Sequence, residues 1–431
     1  MNIMVPELER ALSKSLSSLE NVMAEFDAAA SHLSLEPGLV AFIKEPRCTL
    51  KLNLPVQMDD GRIKTFKAYH TIHSIIRGPS IGGVQFRPDI KLETVEALAF
   101  WSTHRCALLG IPFGGSCGAV DCEPSLFSVG ELERISRRYV AELQDLIKPN
   151  NDILTSDIGT NQQIMCWFMD TYSAHCGNHT PAVVAGKPTD LGGVTCPVYP
   201  AAIGVDLCIK KACEHIGLDI KGSKIAIQGF GKVGMNVARL LHSAGARITA
   251  IADISGAYVN ENGINVEEVV WHQQSYGILD GLDGEIDVVK LDNPLKIFEL
   301  PVDILVPAAI ELQITKENVG NVKAKIIAEA AHDPVSPIAD KELYKKGVLV
   351  IPDILCNAGG VSGYYLEWVQ NKMGYYWSPE RMQEEVSQIV SRAFDQAMGI
   401  AKTELIPLRL AAAVLAVKRV VQAAKLRGIY A

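Results

Sequence analysis

The stretch Lys224-Ile-Ala-Ile-Gln-Gly-Phe-Gly-Lys-Val-Gly234 sets Gly229, Gly231 and Gly234 in Gly-x-Gly-x-x-Gly spacing, after a strand-like run and at the start of a helical pattern. In that context the first glycine allows a tight turn, the second lets backbone approach a pyrophosphate, and the third permits close packing of helix on strand. The helix start adds N–H groups and partial positive charge, so the loop Gly229, Phe230, Gly231, Lys232, Val233, Gly234 is expected to hold a dinucleotide. Asp253 ends the next strand, where its carboxylate can accept hydrogen bonds from an adenosine ribose and repel a 2′-phosphate, so NAD is expected over NADP. Ile254 beside it and Pro307, after the strand-like run 302–306, are further cofactor-side candidates. The plainer alternative is that the glycines only close a strand-helix turn.

These residues need a scaffold of alternating elements. A helix at 202–216, strand Lys224 to Gln228, helix 232–244 and strand Arg247 to Ala252 are followed by strand-like runs at 302–306, 324–328 and 348–351. Alternating βα units imply a doubly wound parallel sheet, a Rossmann-type domain over 201–360. Earlier in the chain, 48–56 and 63–69 alternate around Asp59-Asp-Gly61 as two strands and a turn. Leu92 to Trp101 reads as a helix, and Ser128-x-x-Glu131 as a capping box for a helix through Leu146. The expected architecture is α/β, with an α/β first domain of mixed sheet over 1–200, completed by C-terminal helices within 361–431.

With 431 residues, 48% hydrophobic and 21% charged, the chain has globular composition and length for two domains. The net charge of -8 argues against nucleic acid or an anionic membrane as partner, and no apolar run approaches the roughly 20 residues of a membrane span. Residues 1–30 read as an amphipathic helix (Leu8, Leu12, Leu16, Leu19, Val22, Met23) without the basic start of a signal peptide, so a cytoplasmic protein is expected. Ten scattered cysteines form no Cys-x-x-Cys pair or zinc spacing, and no metal site is expected.

Gly110-Ile-Pro-Phe-Gly-Gly-Ser-Cys-Gly-Ala-Val120 resembles the catalytic loop of the glutamate/leucine/phenylalanine/valine dehydrogenase superfamily, with Cys117 at the place of the catalytic lysine. The segments 78–88, 156–161, 186–193 and 351–361, with Glu367-Trp-Val-Gln370 and Gly374-Tyr-Tyr-Trp377, resemble that family's motifs in order. The resemblance implies oxidative deamination of an amino acid to a 2-oxo acid with hydride passed to NAD, a site in an interdomain cleft, and a homo-oligomer, often a hexamer. By motif position it implies Arg105 as substrate carboxylate anchor, Asp157 as proton carrier, Cys117 at the catalytic position, and Ile81, Gly82 and Tyr364 around the substrate.

Each assignment has a plainer counterpart. Arg105 can be a helix-surface ion pair, Asp157 a helix N-cap, and Cys117 an inert thiol rather than a nucleophile activated by Arg105 or His104. Asn357 in Asn357-Ala-Gly-Gly360 is either a cofactor-side amide beside close-approach glycines or an N-cap. Ile81 and Tyr364 depart from the glutamate-binding pattern, so the expected substrate is another, apolar amino acid. Gln85, Ala201 and His332 replace the family's arginine, threonine and asparagine, remodelling the nicotinamide end. The competing reading is a silent nucleotide- or metabolite-binding paralogue that regulates or assembles with an active enzyme; a distant third uses Cys117 as nucleophile.

Overall fold

The computed structural model describes residues 18–428. Leu8, Leu12 and Leu16 of the expected N-terminal helix lie outside the described residues, and its remainder is α1 (Ser18–His32), burying Val22, Phe26, Ala29 and Ala30 at helical spacing.

The chain divides into two compact units. The first runs to Cys196 and takes in Val361–Met382 and the stretch from Ala413; the second holds Pro197–Gly360 and Gln383–Ala412. The first unit continues through α2 (Pro37–Lys44), β1 (Cys48–Gln57), β2 (Ile63–Ser74), β3 (Ser80–Phe86), α3 (Leu92–Leu109), β4 (Gly114–Val120), α4 (Val129–Leu143), β5 (Asp152–Ser156), α5 (Gln162–Cys176) and β6 (Val184–Ala185). Its six strands pair in the order β1-β2-β4-β3-β5-β6, antiparallel as far as β4 and parallel beyond, a mixed sheet.

The segment expected as a loop between two helices is instead β4, a buried strand in mid-sheet. Its glycines explain the difference. A Cβ on Gly115 would stand 2.1 Å from Thr103 N and 2.5 Å from Ala99 O, so α3 lies directly on the strand backbone. A Cβ on Gly118 would stand 2.0 Å from Tyr139 Oη, which hydrogen-bonds His70 Nδ1 at 2.9 Å on the opposite face. His70 Nε2 in turn meets Asp152 at 2.7 Å, and Ser80 and Ser116 both donate to that carboxylate, a buried network tying β2, β3, β4 and β5 together. The capping box at Ser128 and Glu131 is present with both bonds, though the helix ends at Leu143 rather than Leu146.

His104 on α3 and His73 on β2 are buried near Phe100, and burial holds their pKa values down at about 4 and about 3. Both therefore stay neutral in the folded chain, while in the unfolded chain each takes a proton below about pH 6.5. The stability this provides is present above pH 6.5 and is lost progressively toward pH 4. We expect the melting temperature to fall steeply over that window, and His104→Gln, which cannot titrate, to fall less steeply; parallel curves would remove these histidines from the acid response.

The second unit contains α6 (Pro200–Ile216), β7 (Lys224–Gln228), α7 (Lys232–Ser243), β8 (Arg247–Asp253), β9 (Gly256–Val259), α8 (Val266–Tyr276), β10 (Val289–Lys290), β11 (Ile304–Pro307), β12 (Ile326–Ala328), α9 (Pro337–Lys345), β13 (Leu349–Ile351) and α10 (Asp353–Cys356). Its sheet order is β10-β9-β8-β7-β11-β12-β13, parallel from β8 to β13, the doubly wound arrangement. The antiparallel β9 and β10 extend one edge and are additions to the sequence expectation.

Among the described residues three helices follow: α11 (Ala358–Met373), α12 (Pro379–Glu404) and α13 (Leu408–Arg427). This tail, expected to complete the first domain as a whole, divides instead. Most of α12 belongs to the second unit, where Val386, Val390, Ala393 and Ala397 form a buried stripe and Asp395 pairs with Lys211 of α6 at 2.8 Å. Among the described residues no helix is long and apolar enough to cross a membrane, and no cluster of three potential metal ligands occurs.

Candidate active site

In the second unit, β7 and β11 are neighbours from which the sheet is wound in opposite directions, and ligands of such sheets bind at the strand C-termini of that point. The loop after β7 lies there against the one after β11, with Ala308 N donating to Gln228 O at 2.6 Å. The three glycines have three different environments. Gly229 has φ +94° and its Cβ would stand 2.5 Å from Ala308 O; a Cβ on Gly234 would stand 1.9 Å from Gly229 O. Both are demanded by the fold. A Cβ on Gly231 would meet nothing within 4 Å, so the protein's own packing gives no reason for a glycine there.

Gly231 is also the N-cap of the twelve-residue α7, and no side chain caps that helix. Its first N–H groups thus remain for an anion of the pyrophosphate kind, and the residues present fit a dinucleotide. Phe230 is buried, Lys232 exposed, Val233 half-buried, and Pro307 lies in the buried end of β11. Asp253 is half-buried and held firmly: Oδ1 accepts from the Ser255 amide at 2.8 Å and its hydroxyl at 2.5 Å, and Oδ2 from Leu279 N at 2.8 Å. A carboxylate has about four acceptor positions, so a ribose hydroxyl can still be received. Ile254 is 94% exposed beside it.

Asn357 lies between α10 and α11 with φ -83° and ψ 5°, and its backbone N–H donates to Asp353 O at 2.9 Å. Gly359 is likewise taken up by packing, since its Cβ would stand 1.9 Å from Pro200 O and 3.0 Å from Gly204 N of α6. His332 Nδ1 stands 3.5 Å from Asp353 Oδ2, and Ala201 is buried in the first turn of α6.

In the first unit, the sheet face beneath α3 gathers most of the other candidates. Side chains alternate along a strand, so Ile81, Gly83 and Gln85 of β3 share a face with Cys117 and Ala119 of β4. Cys117 is 2% exposed and packs with Ile90, Val95, Ala99 and Ala119. Burial first, then the carboxylates of Asp157 and Asp152, push its thiol well above the usual cysteine range. That is the reverse of activation by Arg105 or His104. The latter is occupied with Phe100 O at 2.9 Å, and the thiol keeps its proton.

Ser102 donates to Ile81 O at 2.6 Å, and Arg105, one turn further along that stripe of α3, is half-buried. Ile81 is buried, and a Cβ on Gly82 would lie 1.7 Å from Ser116 O, so the glycine lets β3 pack closely on β4. Gln85 Oε1 on the same face is buried without a hydrogen-bond partner. Asp157 follows β5, with Oδ1 accepting from Ile158 N at 2.7 Å. It is not the N-cap of α5, a role taken by Asn161 through Ile164 N at 3.0 Å.

Tyr364 on α11 is bonded to Ser156 Oγ at 2.9 Å, so a bulky phenol fills the space beside Gly186, whose Cβ would stand 3.3 Å from Tyr364 Cε1. Sequence reasoning missed what holds that wall. Glu367, one turn further along α11, is fully buried: it accepts from Gly186 N at 3.0 Å and from Lys187 Nζ at 2.6 Å, and Lys187 also donates to Val184 O. Burial lowers the lysine's pKa and the Glu367 charge offsets it. Two buried charges of this kind persist only as a pair. Their motifs, Gly186-Lys-Pro and Glu367-Trp-Val, are visible in the sequence, but their pairing is not.

A doubly wound unit with an uncapped glycine loop and a mixed-sheet unit carrying Arg105 and Asp157 are together the parts of a nucleotide-dependent dehydrogenase. Residues 192–428 match the family model described as Glutamate/Leucine/Phenylalanine/Valine dehydrogenase, and 46–174 match Glu/Leu/Phe/Val dehydrogenase, dimerisation domain. The chain belongs to this family. It is 40% identical over 413 residues to the NAD-specific glutamate dehydrogenase of Staphylococcus aureus (strain COL), covering 96% of this chain and 98% of that protein. The glutamate dehydrogenase of Thermotoga maritima is 39% identical over 416 residues, covering 96% and 99%. Among solved structures, the hetero-hexameric glutamate dehydrogenase of Thermus thermophilus in its leucine-bound form is similar with a TM-score of 0.91, 35% identity and coverage of 97% and 99%.

Proposed function

We propose that this protein is an NAD-dependent oxidoreductase of the amino-acid dehydrogenase type, acting on an apolar amino acid rather than glutamate. The observation that carries the cofactor reading is Gly231: open space where a Cβ would stand, at an uncapped helix start, with Asp253 fixed at the next strand end. The relatives named NAD-specific support the same choice. NAD, when bound, supplies the hydride acceptor. The chain's own contributions are Arg105 as an anchor for the substrate carboxylate and Asp157 as the group that moves protons at the amino-bearing carbon. An apolar substrate follows from Ile81 and Tyr364, which offer no cation to a second carboxylate. Assembly into oligomers is part of this reading, because the ten-residue β1 is an edge strand that, among the described residues, pairs only with β2 and so can receive a second copy.

One observation favours the second reading, a silent nucleotide-binding paralogue: Cys117 is buried, protonated and uncharged where the family's lysine stands. Purified protein should be screened at the NADH absorbance band across aliphatic, aromatic and acidic amino acids, and across 2-oxo acids with ammonia. Turnover with an apolar pair exceeding that with glutamate is expected. Faster turnover of glutamate would overturn the specificity, and NADH binding with no turnover of any pair would favour the paralogue.

A further inference from the structure

Gly82 and Gly83 are adjacent in β3, yet they lack side chains for different reasons. The three atoms nearest a Cβ on Gly82 are backbone atoms of Ser116 and Cys117, so that glycine belongs to the sheet. The three nearest a Cβ on Gly83 all belong to the side chain of Asp157: Oδ2 at 2.4 Å, Cβ at 2.7 Å and Cγ at 2.9 Å. The Asp157 side chain thus lies flat on the Gly83 backbone, in the space a side chain would take.

The register explains why that place matters. Gly83 pairs with Thr155 on one side, and on the other β3 runs beside β4 with Ile81 opposite Gly115 and Val84 opposite Gly118. Gly83 therefore separates Asp157 from position 117 on the face beneath α3, and Cys117 feels the Asp157 charge across it. A second contact fixes the turn. Thr160 Oγ1 accepts from Asp157 N at 2.8 Å and lies 2.9 Å from Val84 O, to which it can donate, tying the 157–160 turn to β3.

We infer that Gly83 and Thr160 are positioning residues for Asp157, seating its carboxylate beside position 117, where the proposed proton transfer requires it. The inference rests on the dehydrogenase reading for its consequence but not for its contact. A methyl at position 83 forces the side chain and its turn aside, and displacement of a reacting group by about 1 Å costs roughly 10- to 100-fold in rate.

The test combines kinetics with a stability cycle on the full-length protein. Gly83→Ala should lower kcat at least roughly tenfold with KM little changed and alter the pH profile of kcat. Thr160→Val should act in the same direction, and Thr160→Ser should restore the original profile. Gly399→Ala, in open space on α12, serves as the control with unchanged kinetics. Independently of activity, Gly83→Ala should lower the melting temperature of the parent protein by about 2 °C or more and have much less effect when Asp157 is first changed to Gly. Equal destabilisation with and without the Asp157 side chain would overturn the contact. Unchanged kcat and pH profile in a folded Gly83→Ala protein would overturn the positioning role. If the parent shows no turnover at all, the proposed function fails while the stability cycle still decides whether Gly83 seats Asp157.

Discussion

Gly231→Val abolishes binding of NAD and NADH while leaving the protein folded. The substitution is unusually clean because the position needs no glycine for the fold: its φ is -79°, within the range of any residue, and a Cβ there meets no atom within 4 Å. A branched side chain occupies only the space in front of the α7 N–H groups, where the pyrophosphate would come closest. The parent should gain stability with ligand concentration, by about 2.7 kcal/mol at a hundred times Kd, and the variant should gain none. Asp253→Asn provides the companion result: removing the negative charge reduces the discrimination against the 2′-phosphate, so NADP binding rises relative to NAD. Thermal shift and calorimetry check both. A parent that shows neither shift nor heat with saturating NADH would remove the dinucleotide site altogether. A Gly231→Val protein that binds as tightly as the parent would place the ligand elsewhere.

What was legible in the sequence was local. The strands at 224–228 and 247–253, the glycine loop and the Ser128–Glu131 capping box depend on residues a few positions apart, and they stand where expected. The cofactor half of the candidate site is of this kind, because a strand, a turn and a helix start carry nearly all of it. The division of labour among the glycines was only partly legible. Gly229, Gly231 and Gly234 read alike as letters, and only the neighbours of an imagined Cβ separate two that serve packing from one that leaves room.

The substrate half depends on contacts between distant positions, which residue types do not announce. Ser156 and Tyr364, or Lys187 and Glu367, are 208 and 180 residues apart, and each pair forms only when α11 comes against the sheet that carries β5 and β6. The segment Gly114–Val120 read as a loop because glycines usually mark loops; here their missing side chains admit α3 on one face and Tyr139 on the other, which makes a strand possible. The divided helical tail has a similar cause, since an amphipathic helix shows that it packs but not against what.

Cys117→Lys raises amino-acid-dependent NAD reduction. Position 117 lies on β4 facing α3, and the charges that act on it are the carboxylates of Asp157 and Asp152. Burial first and then those carboxylates hold a thiol neutral; for a lysine the two act in opposite directions, the carboxylates favouring the ammonium and burial opposing it. Such a group can stabilise negative charge developing on the substrate oxygen, and removing one preorganised donor of this kind typically costs about 10²–10³ in rate. The restored lysine has that much room to act. Two costs oppose it: a longer side chain must fit among Ile90, Val95 and Ala99, where overpacking costs about 1–3 kcal/mol, and the charge must leave water. The Asp157 carboxylate offsets the second. Arg105→Lys combined with Cys117→Lys should raise turnover further, and Asp157→Asn should erase the gain, since it removes both the proton carrier and the counter-ion. Loss of a measurable parent activity in Cys117→Lys would make the thiol a participant in the reaction. Absence of turnover in parent and variant, with NADH bound by both, would leave the chain as a nucleotide-binding member of a dehydrogenase family.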